Sequence, residues 1–184
     1  MVLLTLKIPK LPSPRPCRRT FSSVRGASVP RARPTTATMC RPDVSAVAHQ
    51  LARHLNNPSH AHMAVATRTV QYLHCTRQLG LRYHTRRTHH AITFTDSDWA
   101  GCTDTRQSTS GRVTMMQGGA VMWASARQRS IALSSAEAEQ VALNAGARDA
   151  RYLRRLHASI GLTIKHPTPI MVDSSAALQW SAKK

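Results

Sequence analysis

Acidic residues are scarce in this chain. Eight Asp and Glu stand against 26 Lys and Arg among 184 residues, which gives a formal net charge of +18 at pH 7. An excess of positive charge favours polyanionic partners such as nucleic acid, because phosphate contacts release condensed counterions. Two plainer interpretations stay open at this point: a basic chain that is merely soluble, and a degenerate reading frame rich in arginine.

Long apolar runs and closely spaced cysteines are also missing. No apolar run approaches the roughly 20 residues that span a bilayer, so a membrane partner is not expected. No two of the four cysteines, Cys17, Cys40, Cys75 and Cys102, are close enough for a zinc knuckle or a redox motif. The ten histidines are scattered without the spacing of a metal-ligand set. We therefore expect reduced thiols in an intracellular protein of the cytoplasm or nucleus, of unknown oligomeric state.

Residues 1–38 contain eight Lys or Arg, many Pro, Ser and Thr, and no acid. Such a composition cannot bury much apolar surface and predicts a disordered basic tail. A segment rich in arginine and serine also suits an organelle transit peptide, so mitochondrial targeting is the alternative. Prolines at positions 9, 12, 14 and 16 argue against that alternative, because they interrupt any amphipathic helix.

Residues 41–90 have the pattern of a helical segment. A first helix is predicted to begin near Pro42 and Asp43, and a second is predicted over 59–79 with Gly80 as its end. The sequence NNPS separates the two, which predicts an αα-hairpin without catalytic features. Each helix has a predicted buried stripe: Val44, Val47, Leu51 and Leu55 in the first, and Met63, Ala66, Val70 and Leu73 in the second.

Residues 91–184 open with an alternating β-pattern. Its two sides are Ile92, Phe94 and Asp96 on one, and Thr93, Thr95 and Ser97 on the other. The pattern predicts that the apolar side faces the core and carries Asp96 with it. A carboxylate in that position is costly unless a positive charge shares the site, which suggests a metal ion. The alternative is that Asp96 or Asp98 only caps the loop that follows.

The remaining elements predict an α/β fold. Two β-runs over 112–117 and 120–125, linked by Gly118 and Gly119, predict a hairpin. A long helix over 135–160 with Gly161 as its stop, a strand over 168–173 and the start of another helix follow. This order favours a mixed sheet covered by helices, with the long helix as a right-handed crossover.

The long helix contains two glutamates, and only one of them can face the sheet, because they are separated by about 200°. The small or apolar face of Glu139 consists of Ala142, Leu143, Gly146, Ala150 and Leu153. The polar face of Glu137 consists of Gln140, Asn144, Arg148, Arg151 and Arg155. Glu139 is therefore the inward carboxylate, whereas Glu137 is expected in solvent at the helix N-terminus.

Three carboxylates are expected to converge. If the strand that ends at Asp173 runs parallel to the first strand, Asp173 and Asp96 leave the sheet side by side, with Glu139 above them. Their mutual repulsion requires divalent cations, and oxygen ligands select Mg²⁺ or Mn²⁺ rather than zinc. Two such ions about 4 Å apart suit the hydrolysis of a phosphodiester.

The series TDSDWAG, DTRQSTSG, MWAS, ALSSAEAE and then the strand ending in Asp173 resembles the ribonuclease H domain of copia-type LTR retrotransposon Pol polyproteins. Upstream, RPDVSAVAHQLARHLNNPSHAHMAVATRTVQYL with GLRY resembles the connection segment that precedes that domain, so the likeness covers about residues 41–180. It implies a ribonuclease H-like fold and magnesium-dependent hydrolysis of the RNA strand of RNA–DNA hybrids. It also implies that Asp96, Glu139 and Asp173 are the catalytic, metal-binding residues. Ser110, Arg112 and Ser134 are expected near the hybrid.

The chain also departs from the family pattern. No acid follows Asp173 to supply the family's fourth carboxylate, Gln140 replaces an aromatic residue, and Ser174 and Ser175 replace an amide pair. No motif of adjacent aspartates supports reverse transcription. We therefore expect a C-terminally truncated nuclease domain of impaired activity. The alternative is a non-catalytic basic relic that binds nucleic acid through its N-terminal tail and three arginines of the long helix, Arg148, Arg151 and Arg155.

Overall fold

The computed structural model describes residues 35–84, 91–102, 104–162 and 164–174. The elements are α1 (Thr35–Cys40), a 3₁₀ turn (Pro42–Val44), α2 (Ser45–Ala52), α3 (His60–Cys75), β1 (Ile92–Asp98), β2 (Thr109–Met116), β3 (Gly119–Arg127), α4 (Ser135–Ser159) and β4 (Ile170–Met171). Across these ranges, none of the helices is long and apolar enough to cross a membrane. The helix predicted after Asp173 and nearly all of the predicted basic tail lie outside the described residues.

The sheet has the order β3-β2-β1-β4. β1 pairs antiparallel with β2 and parallel with β4, and β2 pairs antiparallel with β3. The predicted mixed α/β sheet is therefore confirmed, including the parallel pairing of the first and last strands. β4 is shorter than the predicted strand over 168–173, because pairing with β1 stops at Met171.

The hairpin between β2 and β3 turns one residue earlier than predicted. Its central residues are Gln117 and Gly118, with φ angles of 54° and 83°, and Gly119 already belongs to β3. Positive φ at both positions suits the right-handed twist of the flanking strands. A Cβ built on Gly119 would lie 2.6 Å from Cε1 of Tyr83, so glycine there permits close packing of the preceding segment.

The predicted orientation of β1 is wrong. Thr93 and Thr95, and not the side that carries Ile92, are buried beneath α4. α4 approaches closely at Gly146, where an added Cβ would lie 3.1 Å from Cγ2 of Thr93 and overlap Thr95. Short β-branched side chains permit this approach, and the Thr93 hydroxyl bonds the Thr114 hydroxyl at 3.0 Å. The side that carries Ile92 and Asp96 is consequently more exposed than the pattern suggested.

α4 has the predicted bounds and orientation. It begins after the N-cap Ser134 and ends at Ser159, just before Gly161 with a φ of 78°. Its buried face consists of Ala138, Glu139, Ala142, Ala145, Gly146, Ala150 and Leu153. Because most of these side chains are small, the helix axis lies close to the sheet and brings Glu139 to the end of β1.

The helical segment before the sheet differs from its prediction. α2 ends at Ala52, Leu55 is 61% exposed, and burial falls on Val44 and Ala48 instead of the full predicted stripe. α3 buries no side chain against the described residues, so its predicted stripe, which includes Met63, Ala66, Val70 and Leu73, is not a core face. α1 was not predicted, and it overlaps the end of the segment expected to be disordered. The Trp123 indole donates to the Thr38 carbonyl at 2.6 Å, which ties α1 to β3.

Candidate metal centre

Three carboxylates converge at the end of the sheet. Asp96 lies near the end of β1, Glu139 lies in the second turn of α4, and Asp173 follows β4. Each offers an oxygen atom, and these oxygens all lie within 4.8 Å of one another. The predicted convergence is therefore present, and it arises from the parallel pairing of β1 with β4 and the close approach of α4.

The Ser97 amide orients two of these carboxylates. It donates to Oδ1 of Asp96 at 2.9 Å and to Oε1 of Glu139 at 3.1 Å. A shared N–H donor holds the two groups together, although their negative charges repel each other. Asp98, by contrast, covers the backbone of Gly101, where an added Cβ would overlap its carboxylate. Asp96 therefore belongs to the cluster of three carboxylates, here called the carboxylate cluster, whereas Asp98 packs against the loop that follows β1.

Glu139 is a buried carboxylate with one unsatisfied oxygen atom. It is 7% exposed, and its Oε2 atom has no hydrogen-bond partner among the described residues. Burial, together with the charges of Asp96 and Asp173, raises the pKa of Glu139 to about 7. A divalent cation would give Oε2 a partner and neutralise the like charges, so the oxygen donor set fits Mg²⁺ or Mn²⁺.

Gln128 supports the centre and was not identified from the sequence. This residue is 5% exposed, and its Nε2 lies 2.9 Å from both the Ser110 hydroxyl and the Ala138 carbonyl, and 3.2 Å from the Ser97 hydroxyl. It therefore links the residues adjacent to Asp96 and Glu139. In the sequence, Gln128 is only an amide residue that follows a predicted strand. Its hydrogen-bond partners come from other elements and are identified only in the folded structure.

Three side chains expected near a bound hybrid have structural partners instead. Ser110 is buried and bonds to Gln128, and Arg112 forms an ion pair with Asp149. The Ser134 hydroxyl caps α4 by accepting from the Glu137 amide at 3.2 Å. Each of these three side chains therefore has a structural role within the fold.

The polar face of α4 is open to solvent. Arg148, Arg151 and Arg155 are all exposed, as predicted. Glu137 is half-buried at the helix start, where its Oε2 accepts from the Leu133 amide at 2.7 Å. Glu137 therefore satisfies a backbone donor at the N-terminus and does not join the carboxylate cluster.

Comparison with known proteins identifies relatives but no structural neighbour. The chain is 36% identical to Secreted RxLR effector protein 161 of Plasmopara viticola, over 61% of the chain and 80% of that protein. It is 31% identical to the Retrovirus-related Pol polyprotein from transposon TNT 1-94 of Nicotiana tabacum, over 79% of the chain, and 28% identical to that from transposon RE2 of Arabidopsis thaliana, over 74%. The chain spans only 11% and 9% of those two polyproteins. No family model and no solved structure matches it.

Proposed function

Because this chain is homologous to a segment of retrotransposon Pol polyproteins, we propose that Asp96, Glu139 and Asp173 form the active site of a metal-dependent nuclease. Its fold is ribonuclease H-like, and its substrate is the RNA strand of an RNA–DNA hybrid. The observation that carries the proposal is the meeting of three carboxylate oxygens within 4.8 Å in a chain of net charge +18. A basic protein has few reasons to gather three of its eight acidic residues at one point, except to bind cations.

The cation fits this site because its ligands are oxygens only, and because one of them, Oε2 of Glu139, is buried without a partner. When bound, Mg²⁺ or Mn²⁺ supplies the activation of water and the stabilisation of the leaving oxygen in phosphodiester hydrolysis. The metal-binding residues are Asp96, Glu139 and Asp173.

The protein's own contribution is to hold these ligands in place before the substrate arrives. The Ser97 amide fixes the orientation of Asp96 and Glu139, and Gln128 fixes Ser97 relative to Ala138 of α4. Preorganised ligands cost little reorganisation during the reaction. Glu139 binds a cation only in its ionised form, and its raised pKa therefore links activity to pH.

A cleavage assay on a labelled RNA–DNA hybrid with Mg²⁺ tests this proposal. Asp96→Asn should lower the cleavage rate at least about 100-fold, because even residues that only support metal ligands contribute 10- to 100-fold to metal affinity or activity. Asp98→Asn is the matched control, since Asp98 lies on the same strand outside the carboxylate cluster and should retain activity. Double-stranded DNA should not be cut.

An unchanged rate in Asp96→Asn would overturn the assignment, because the activity would then come from another site or from a contaminant. Absence of cleavage by the wild-type chain, with no Mg²⁺-dependent change in its thermal unfolding, would overturn the proposal itself. The second measurement detects metal binding without requiring turnover.

A second candidate function is nucleic-acid binding without catalysis. The observation in its favour is the exposed face of α4 that carries Arg148, Arg151 and Arg155, in a chain of strongly positive charge. Binding through such a face depends steeply on salt and little on sequence. Salt-sensitive binding that is reduced in a triple Arg→Gln variant of these positions, without any cleavage, would favour this function over the nuclease.

A further inference from the structure

The exposed side of β1 continues onto the neighbouring strand β2. Asp96 pairs with Gly111 of β2, and Gly111 pairs with Ser125 of β3. A Cβ built on Gly111 would meet no atom within 4 Å. Because paired residues on adjacent strands point to the same side of the sheet, the space beside the Asp96 carboxylate is open over Gly111 and ends at Ser125, which lines a cavity together with His49 and Ala52 of α2.

Arginines border this path. Asp98, Thr109 and Arg127 form the neighbouring row of paired residues, so Arg127 shares the exposed side with Asp96. Arg106 and Arg129 lie on loops that run side by side, since Gln107 donates to the Arg129 carbonyl at 3.1 Å. All three arginines are exposed, and none forms an ion pair with any described residue.

An aromatic side chain with a fixed orientation lies at the same end of the sheet. The Trp99 indole donates to the Ala132 carbonyl at 3.1 Å, yet the residue is 47% exposed. The residues on either side of Ala132, which are Ile131 and Leu133, are 57% and 87% exposed. An anchored indole loses little conformational freedom on binding, which suits it as a surface on which a base stacks.

We propose that Trp99, Arg106, Gly111, Arg127 and Arg129, here called the strand-end surface, bind an unpaired nucleic-acid strand that continues from the carboxylate site. The proposal rests on the proposed function in one respect: the bound strand is part of the nuclease substrate. Phosphates contact the arginines, the open position at Gly111 admits the backbone, and a base stacks on Trp99. The preferred substrate is accordingly a hybrid with a single-stranded extension.

Acidic residues nearby do not cancel this charge. Asp98 and Asp104 are exposed in the same region. The Asp98 carboxylate is turned onto the backbone of Gly101, and Asp96, which is exposed on the same side, belongs to the carboxylate cluster that a bound cation would neutralise. The aspartates therefore reduce the affinity for phosphate without reversing its sign.

Binding without cleavage tests the proposal. Fluorescence anisotropy in EDTA would compare a labelled blunt RNA–DNA hybrid with the same hybrid carrying a six-nucleotide single-stranded extension. We expect the extension to strengthen binding to the wild-type chain roughly ten-fold, the contribution of about one stacked base. Equal affinity for the two probes would overturn the proposal. Cleavage plays no part in this measurement, so loss of the nuclease activity and loss of the strand-end surface are separate outcomes.

Variants of Trp99 separate stacking from a purely structural role. Trp99→Ala should abolish the advantage of the extension, whereas Trp99→Phe should retain most of it, because phenylalanine keeps the π-face and loses only the bond to Ala132. An equal loss in both variants would show that Trp99 only anchors the loop, and would contradict its assigned role. Tyr152→Ala is the matched control, since Tyr152 is an exposed aromatic residue on α4.

Variants of the remaining positions test the path itself. Arg127→Gln and Arg129→Gln should each reduce the slope of log affinity against log salt by about 0.7, the value for one phosphate contact of a single strand. Arg68→Gln, at an exposed position on α3, should leave the slope unchanged.

Gly111→Val should preserve folding, because the space is open and valine suits a strand, yet should weaken binding of the extended probe. Unaltered binding by Gly111→Val would exclude a strand from that path.

Discussion

Gly146 of α4 lies directly against Thr95 of β1, so that a single added carbon atom would collide with Cγ2 of the threonine. We expect Gly146→Ala to lower the free energy of unfolding by about 1 kcal/mol, since overpacking costs roughly 1–3 kcal/mol and the better helix propensity of alanine returns part of it. Urea denaturation measures the change. Because α4 carries Glu139, the affinity for Mg²⁺ should fall as well.

The collision with Thr95 is tested by a compensating change. Thr95→Ser removes Cγ2, so the double variant Gly146→Ala/Thr95→Ser should recover more stability than the sum of the single changes predicts. Gly111→Ala serves as the stability control, because its added Cβ meets nothing within 4 Å. Strict additivity of the two changes would mean that α4 and β1 are not in contact at this point.

Gln128 joins three parts of the site through one amide group. Gln128→Leu would leave the Ala138 carbonyl and the Ser110 hydroxyl without this donor in a buried place. Each buried polar group left unsatisfied costs about 1–3 kcal/mol, so we expect a loss of at least 1 kcal/mol in thermal or urea unfolding. Gln78→Ala, at an exposed position, should change stability by less than about 0.5 kcal/mol. Comparable effects at both positions would contradict the linking role of Gln128.

The position of the carboxylate cluster was predictable because it follows from where elements end. Asp96 and Asp173 close β-patterns, and the small residues around Glu139 identify the face of α4 that meets the sheet. Strand order then brings these ends together, since a parallel pair places both at one edge. The convergence of the three carboxylates therefore follows from the order of the elements, without the details of side-chain packing.

The packing details were not predictable, because they depend on which surfaces meet. The pattern of β1 placed Phe94 inward, but the close approach of Gly146 favours the threonine side, where short side chains and paired hydroxyls fit. Apolar periodicity in α3 likewise suggested burial, although none of the residues of this helix is buried in the described structure. Periodicity identifies a side or stripe of an element, whereas contact with another element decides whether it is buried.

The pKa of Glu139 predicts how stability depends on pH when metal is removed. In the folded protein this pKa is raised to about 7, against 4.5 for an unperturbed glutamate side chain in the unfolded chain. The folded state therefore binds more protons between these values, and stability in EDTA should fall as pH rises from about 4.5 to 7. Urea unfolding of the wild type and of Glu139→Gln across this range isolates the contribution, since the variant cannot titrate.

The titration of His49 also contributes to the pH dependence of stability, and it must be separated from that of Glu139. Burial, with the nearby charges of Arg53 and Arg127, lowers the pKa of His49 below its ordinary value of 6.5, so this group makes stability rise with pH below that value and opposes the effect of Glu139. That contribution is common to the wild type and Glu139→Gln, so it disappears in their difference. A difference that does not change with pH would show that Glu139 ionises normally and would weaken the case for a cation at this site.

Arg41 is one of the residues that attach α3 to the rest of the described structure; the Tyr72 hydroxyl also donates to Asp43 at 2.8 Å, and His62 stacks on His54. The guanidinium donates to the Thr76 carbonyl at 3.1 Å, to the Thr76 hydroxyl at 2.8 Å and to the Asp43 carboxylate at 2.7 Å, and it lies 5.6 Å from the centre of the Tyr72 ring. Since α3 buries no side chain of its own, loss of these bonds should release the helix locally.

We therefore expect Arg41→Ala to lower hydrogen-exchange protection of α3 amides roughly ten-fold or more, because hydrogen bonds to charged groups are worth about 1.5–3 kcal/mol each. Protection of β1 and α4 should stay within about two-fold of the wild type, since Arg41 bonds to neither. Arg41→Lys should not restore α3, because a single ammonium cannot serve Thr76 and Asp43 in the geometry of a guanidinium fork. Arg68→Ala, at an exposed position on α3 itself, controls for the loss of one positive charge. If β1 and α4 lost protection together with α3, the helical segment and the sheet would unfold as one cooperative unit, and the local attachment through Arg41 would be refuted.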